Sequence, residues 1–575
     1  VRRVELLKSA TPNALHFKNY AVRNFGATDT HESALMTDQD KDEATSVVWV
    51  VNRFKGGRVA FDGTAESEGG ELYGGISYDG HTTTDNALTI TGVHGANDPQ
   101  YAFGGKNDGD TGDVTINTVT VDMAHATDGV EEVYGGQASS EHHAGKVEEN
   151  TVNMKQGTTA KLYGGYTFGK GAVTKNTVNF EGGESTGYVV GGYLDNEDST
   201  AEARGNKVVF THGTAAEVDG ADSTGQGALK ENGVVFGGAD STAKVLRGAI
   251  AENKASVEKN YVTVAAGTVG SVYGGATYAT DPTTNGLIGG DGHARENTVT
   301  ISGGTVTDAV YGGLGYRADG NTVTISGGTF GTAVKNADVY GGMLTGGPGS
   351  GTVGNTVNLG AEDGAYAADL SYAKIHGGSE AEGNTLRIRG KGITVLSADN
   401  FDKYDFQLRG SLADGDTLLT LKNGGFGREI DWQNNFVVDT SKLKGVPSGA
   451  VTLLKSDTAN ALTFKNYATR DHSTGNTEYF IGTNTGTGTA TSVIMNYSIF
   501  RDNAWTYDGT NPATANEVVG GASYRDGHAT YNNKITVTGV PAANLNFVYG
   551  GKTNGAADSK ENWVIVESTD KAGGQ

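Results

Sequence analysis

Several short segments of this chain carry residue types that do chemistry in other proteins. Gly183-Glu184-Ser185-Thr186-Gly187 has the G-x-S-x-G spacing that exposes a nucleophilic serine on a sharp strand-to-helix turn. That chemistry needs a helix after the serine, and the YVVGGYL that follows reads as another strand. With 90 glycines in the chain, the spacing arises by chance. Asp110-Thr111-Gly112 is an aspartic-protease triplet, whose chemistry requires a second copy in a bilobal fold. Gly164–Lys170, GGYTFGK, approaches a phosphate-cradling P-loop, but Gly171 stands where a Ser or Thr is required. None of the three supports a catalytic assignment.

Metal chemistry is equally sparse. His142-His143 offers two imidazoles, but no partner pattern of His or Cys completes a ligand set, so they read as loop residues. The acidic loops Asn107–Asp113 (NDGDTGD) and Asp195–Thr200 (DNEDST) hold carboxylate and carbonyl oxygens suited to weak Ca²⁺ binding. Neither follows the EF-hand or nonapeptide spacing, and solvated loops are the default. No cofactor, metal or catalytic residue is assigned.

The polar residues with the strongest pattern are asparagines. Asn-x-apolar-x-apolar begins at Asn86, Asn117, Asn150, Asn176, Asn206, Asn232, Asn260, Asn297, Asn321, Asn355 and Asn384, then at Asn533 and Asn562. Between these fall apolar-Gly-Gly copies at Tyr73, Phe103, Tyr134, Tyr163, Val190, Tyr273, Tyr311, Tyr340 and His376, then Val519 and Tyr549. Degenerate copies stand at Val218 and Leu246. The two signatures alternate from Tyr73 to Asn384, which marks a repeat protein.

Each repeat reads strand, Gly-Gly, polar loop, Asn, strand. In NTVTI, alternation puts Val and Ile on one face and Thr on the other. One such unit cannot bury its apolar face alone, but stacked units can. Equivalent asparagines are then expected to hydrogen-bond along a ladder, and the tyrosines of YGG to form an internal aromatic column. The alternative for the tyrosines is an outward column that stacks on sugar rings. The glycine pairs give the tight corners.

A larger period overlies this one. VELLKSATPNALHFKNY at Val4–Tyr20 returns as VTLLKSDTANALTFKNY at Val451–Tyr467, and SYDGH returns as SYRDGH, an offset of about 446 residues. Between the repeat stretches lies a segment with longer apolar strands, such as DTLLTL at Asp416–Leu421. The expected organisation is a β-rich module at 1–64, a β-solenoid at 65–400, a second module at 401–510 and the next solenoid start at 511–575. Val4–Lys106 and Val451–Lys552 are expected to share one substructure.

Composition restricts the setting. The chain has 575 residues, no cysteine, 7 prolines and a net charge of −23. Collagen needs glycine at every third position with abundant proline, so it is excluded. A diffuse negative surface disfavours nucleic acid. No apolar run reaches the length of a membrane helix. The chain opens on Val1 without a signal peptide and reads as an internal fragment or a processed product.

VYGG with NTVTISGGTV, followed by YDFQL and LADGDTLLTL, resembles the repetitive passenger regions of bacterial autotransporters. These are Gram-negative surface proteins secreted through their own membrane barrel. The resemblance covers most of the chain, without the barrel, and implies an all-β, right-handed parallel β-solenoid with coils of about 28–30 residues. It implies a non-enzymatic extracellular adhesin or fibre displayed on a bacterial surface. Its partners would be host or bacterial glycans and proteins, or copies of itself. No functional residue of the family carries over. The alternatives are a structural filament or sheath subunit, and a β-helix polysaccharide-degrading enzyme. The enzyme would need Asp, Lys or Arg on adjacent outward slots, where this chain has mostly Thr, Ser and Asn.

Overall fold

The computed structural model describes residues 2–18, 20–39, 41–64, 70–93, 99–123, 129–196, 199–212, 245–252, 256–280, 287–289, 292–344, 352–378, 383–509, 517–524, 528–538, 547–553 and 557–567. Every regular element among them is a β-strand, and most strands run in long parallel ladders. The chain forms two units, one of 1–323 with 337–355, the other of 324–336 with 356–575.

In the first unit the alternation of NTVTI decides the packing. Leu88, Val119, Val152, Val178, Val208, Val262 and Val299 pair in register as one parallel row. All seven are essentially inaccessible. A second row, Leu72, Ala102, Val133, Leu162, Val189, Leu246, Val272, Val310 and Val339, comes from the strands that precede Gly-Gly. A third, Val114, Val147, Val173, Ala203, Val257, Ala294 and Ala318, comes from the short strands before each Asn. Burying each Val or Leu of the first row contributes about 1.5–3 kcal/mol.

The ladder departs from the sequence reading at one place. Asn206 bonds directly to Asn260, and Lys207–Phe210 pairs directly with Tyr261–Val264. The expected intermediate unit at Val218 and Asn232 lies outside the described residues. The ladder therefore advances by 54 residues in this step. Strand pairing depends on register and not on separation along the chain, so partners 54 residues apart bond as partners 26 apart do.

The residue before each ladder asparagine is left-handed. Glycine fills the position before Asn206, Asn321, Asn355 and Asn384, but Asp85, Ile116, Glu149, Lys175, Lys259, Glu296, Asp502, Asn532 and Glu561 adopt it as non-glycines, with φ between 51° and 57°. For an L-residue this conformation costs about 1–2 kcal/mol. Ile116, β-branched at φ 57° and exposed, is the most strained. Ile116→Gly is expected to raise the thermal unfolding midpoint, with a gain of about 1 kcal/mol. A lower midpoint would contradict this account.

The two large-repeat modules have the same internal pairing. In the first unit Arg2–Lys8 runs antiparallel to Ser46–Arg53, with Val4 opposite Trp49, Lys8 opposite Ser46 and a bulge between Glu5 and Leu7. In the second unit Ser448–Ser456 runs antiparallel to Ser492–Ile499, with Val451 opposite Met495, Lys455 opposite Ser492 and a bulge between Thr452 and Leu454. Matching side-chain bonds follow. The Tyr20 hydroxyl accepts the Thr37 N–H at 3.1 Å, and the Tyr467 hydroxyl accepts the Thr483 N–H at 3.1 Å. In the second unit the module continues into a new parallel set, Ala504–Tyr507, Lys534–Val537 and Trp563–Val566.

Candidate functional site

The asparagines form a continuous ladder in the first unit. Each Oδ1 accepts the backbone N–H and the Nδ2 amide of the preceding asparagine, from Asn86 through Asn117, Asn150, Asn176, Asn206, Asn260, Asn297 and Asn321 to Asn355. Each Nδ2 from Asn86 to Asn355 also donates to a carbonyl, as Asn176 does to Val147 at 2.9 Å. The second unit starts a ladder of its own, Asn503 to Asn533 to Asn562. Asn503 opens N-A-W-T-Y, a match to the Asn signature that the sequence reading passed over.

The aromatic column also forms. Tyr73, Phe103, Tyr134 and Tyr163 stack with centroid separations of 5.4, 5.1 and 5.0 Å and nearly parallel planes. They build an apolar cluster separate from the valine rows. The Tyr134 hydroxyl donates to Glu132, and burial, then Tyr163 and Glu132, hold that phenol far above its usual pKa. Ring faces cover one another, so the column presents edges and hydroxyls, not the open faces that stack on sugars. His376 departs from the apolar slot: its Nδ1 pairs with the Asp399 carboxylate.

The short motifs take structural places. Glu184-Ser185 is a strand paired with Thr158-Thr159, and a strand, not a helix, follows at Tyr188–Leu194. Tyr163–Thr167 continues a strand through Gly164 and Gly165. The Asp110 carboxylate accepts the Ser140 hydroxyl at 2.5 Å. His142 is exposed, while His143 is buried with Nδ1 2.7 Å from the Gly109 carbonyl. In Asn107–Asp113 the Asn107 amide donates to the Thr111 carbonyl at 2.9 Å, and Asp113 accepts the Lys146 N–H at 2.8 Å. Of Asp195–Thr200, Glu197 and Asp198 lie outside the described residues. Among the described residues, no three His, Asp or Glu side chains are grouped to hold a metal.

The site that the sequence reading missed is a buried carboxylate in each module. Glu32 is 4% exposed and accepts the Asn52 amide at 3.3 Å, the Ser77 hydroxyl at 3.1 Å and the Tyr78 N–H at 2.7 Å. Glu478 is 2% exposed and accepts the Ser498 hydroxyl at 2.5 Å, the Ser523 hydroxyl at 3.4 Å and the Tyr524 N–H at 2.7 Å. It also accepts His528 Nδ1 at 2.7 Å. Each carboxylate ties an antiparallel strand of the module to the Ser-Tyr that follows the first Gly-Gly. The signal was present: a lone Glu survives in both copies within otherwise divergent strands, HESALMT and TEYFIGT.

Burial alone would push Glu478 up, but the bonds from Ser498, His528 and Tyr524 outweigh it and hold the carboxyl below its ordinary value of 4.5. A depressed folded value stabilises the fold above the unfolded pKa, and that stability is lost as pH falls through the folded value. The wild-type chain should therefore lose module stability as pH drops below 4.5, and Glu478→Gln should flatten this slope. Thermal melts at stepped pH read both; parallel slopes would contradict the assignment.

No family model matches the chain, and no curated protein or solved structure matches it.

Proposed function

We propose that this chain is a stretch of an extracellular, non-enzymatic bacterial surface adhesin or fibre, built as a right-handed parallel β-solenoid with coils of about 28–30 residues. The observation that supports it most is the parallel register of repeated strands. Near-identical units dilute any single special residue, while they set weak polar contacts at about 4.8 Å intervals along a ladder. The outward rows beside the valines, such as Thr118, Thr151 and Thr177, carry hydroxyls that suit glycans, proteins or neighbouring copies. A duplicated module that restarts the ladder suits growth by tandem repetition.

The purified chain should retain cells or matrix on coated surfaces, and binding should rise steeply with coating density, as avidity requires. No turnover of polysaccharides or peptides is expected. Robust polysaccharide cleavage that one carboxylate substitution abolishes would overturn this reading in favour of a β-helix enzyme. Lateral or end-to-end assembly without attachment to cells or matrix would favour the structural filament.

A further inference from the structure

The hairpin that carries Glu478 places a third group on the same hydrogen-bond chain. Ser473 lies directly across the antiparallel pair from Glu478, so the two side chains share a face. The Ser473 Oγ is 3.5 Å from Nε2 of His528, and His528 Nδ1 is 2.7 Å from the Glu478 carboxylate. An ionised carboxylate only accepts hydrogen bonds, so Nδ1 carries a proton toward Glu478, and in the neutral imidazole Nε2 is the lone pair that faces the serine hydroxyl. The imidazole is held flat on Phe500, with centroids 4.8 Å and planes 12° apart. Serine, imidazole and buried carboxylate thus stand in the order that nucleophilic catalysis uses on unrelated folds.

The backbone adds two features. Arg470–Thr474 is the edge strand of its sheet, and Thr474 pairs with Thr477 across a two-residue turn. The closing pair of such a turn is the hydrogen-bonded one. Ser473 is then a non-hydrogen-bonded position, and its N–H points away from Thr477–Thr483, toward an approaching oxyanion. Phe480, 39% exposed, shares the face of Glu478 two residues along the strand and provides an apolar surface near the hydroxyl.

The other module contains the matching negative. Ala27 stands opposite Glu32, where Ser473 stands opposite Glu478. SYDGH is one residue shorter than SYRDGH, and Glu32 takes the Asn52 amide from the strand position where Glu478 takes the Ser498 hydroxyl. The two hairpins place these pairs alike, the first with a bulge between Asn24 and Ala27 that the second lacks, and they differ at the nucleophile.

We propose that Ser473 is an activated nucleophile that accepts one acyl group from a carboxylic ester with an apolar acyl or aryl part. The Oγ lone pair forms the bond to the carbonyl carbon while its proton passes to His528 Nε2. The bond from that carbon to the leaving oxygen then breaks, and the leaving oxygen takes the bond pair and the proton from Nε2. Acyl-Ser473 and a free alcohol result, with no other reactant. This property is separate from the adhesive reading, and each can fail alone.

The test uses the full chain and p-nitrophenyl acetate. About one p-nitrophenolate per chain should appear in a burst, with acetyl found on the peptide that contains Ser473. The burst should be about a hundredfold faster than the background of Ser473→Ala, the lower end of what a positioned base supplies. Ser473→Ala copies the arrangement at Ala27 and leaves the Glu478–His528 bond untouched, so the fold is retained. His528→Gln should slow the burst by a similar factor while leaving the circular dichroism spectrum unchanged. A burst that persists in Ser473→Ala, or acetyl found only on lysines, overturns the proposal.

Discussion

Asn176→Ala is expected to open the centre of the first ladder. Asn176 Oδ1 accepts both the N–H and the Nδ2 of Asn150 at 3.0 Å, and its own Nδ2 donates to the Val147 and Asn206 oxygens at 2.9 and 3.0 Å. Alanine leaves the buried Asn150 N–H without its partner, strips the Asn150 amide of one of its two acceptors and takes the amide donor from the Val147 carbonyl. Each such buried group costs about 1–3 kcal/mol, so the local loss is about 4 kcal/mol. Hydrogen exchange at the Asn150 and Asn176 amides should accelerate about a thousandfold. Asn153→Ala is the control: its Oδ1 accepts Asn179 Nδ2 at 2.8 Å in the half-buried outward row. Water can replace that bond, so the control should cost under about 1 kcal/mol. Equal effects at the two positions would refute a structural ladder.

Gly164→Ala should be as damaging for a different reason. A Cβ built at Gly164 lies 2.4 Å from the Gly191 carbonyl oxygen and 3.0 Å from the Thr177 nitrogen. Both obstacles are backbone of the adjoining strands, so no side-chain rotation relieves them. The substitution should cost about 3 kcal/mol or more, read as a lower urea midpoint. Gly424→Ala separates close approach from conformational freedom. Gly424 has φ +70° and nothing within 4 Å of a built Cβ, so its cost is the left-handed penalty alone, about 1 kcal/mol. A Gly164 variant no worse than the Gly424 variant would show that the strands separate easily at Gly-Gly.

Much of the ladder was legible before any coordinates. The spacing of NTVTI and YGG called for parallel strands with stacked Val rows, and Val119, Val152 and Val178 pair in that way. The asparagine ladder followed from one polar residue recurring at one point of an apolar repeat. The larger period was equally plain, and the two modules share register and bulge. The step from Asn206 to Asn260 was not legible, because Asn232 carries the same signature between them and lies outside the described residues. The left-handed residues before each Asn were hidden too, since Ile116, Glu149 and Lys175 have no composition signal for positive φ.

The sequence by itself determined periodicity: which residues recur, hence which stack, and that the apolar rows face inward. Such properties depend on local alternation, which a single strand already carries. Only the tertiary structure decided the meeting of residues distant along the chain. Glu478 meets Ser523 and His528 across 45 and 50 residues, and no spacing rule links a hairpin to a later loop. His528 brings an imidazole to the carboxylate, and Ser473 joins it because a two-residue turn fixes its register opposite Glu478. Repetition is written in one dimension, whereas a lone constellation forms where one repeat departs from its copies, and that convergence exists only once the strands are paired.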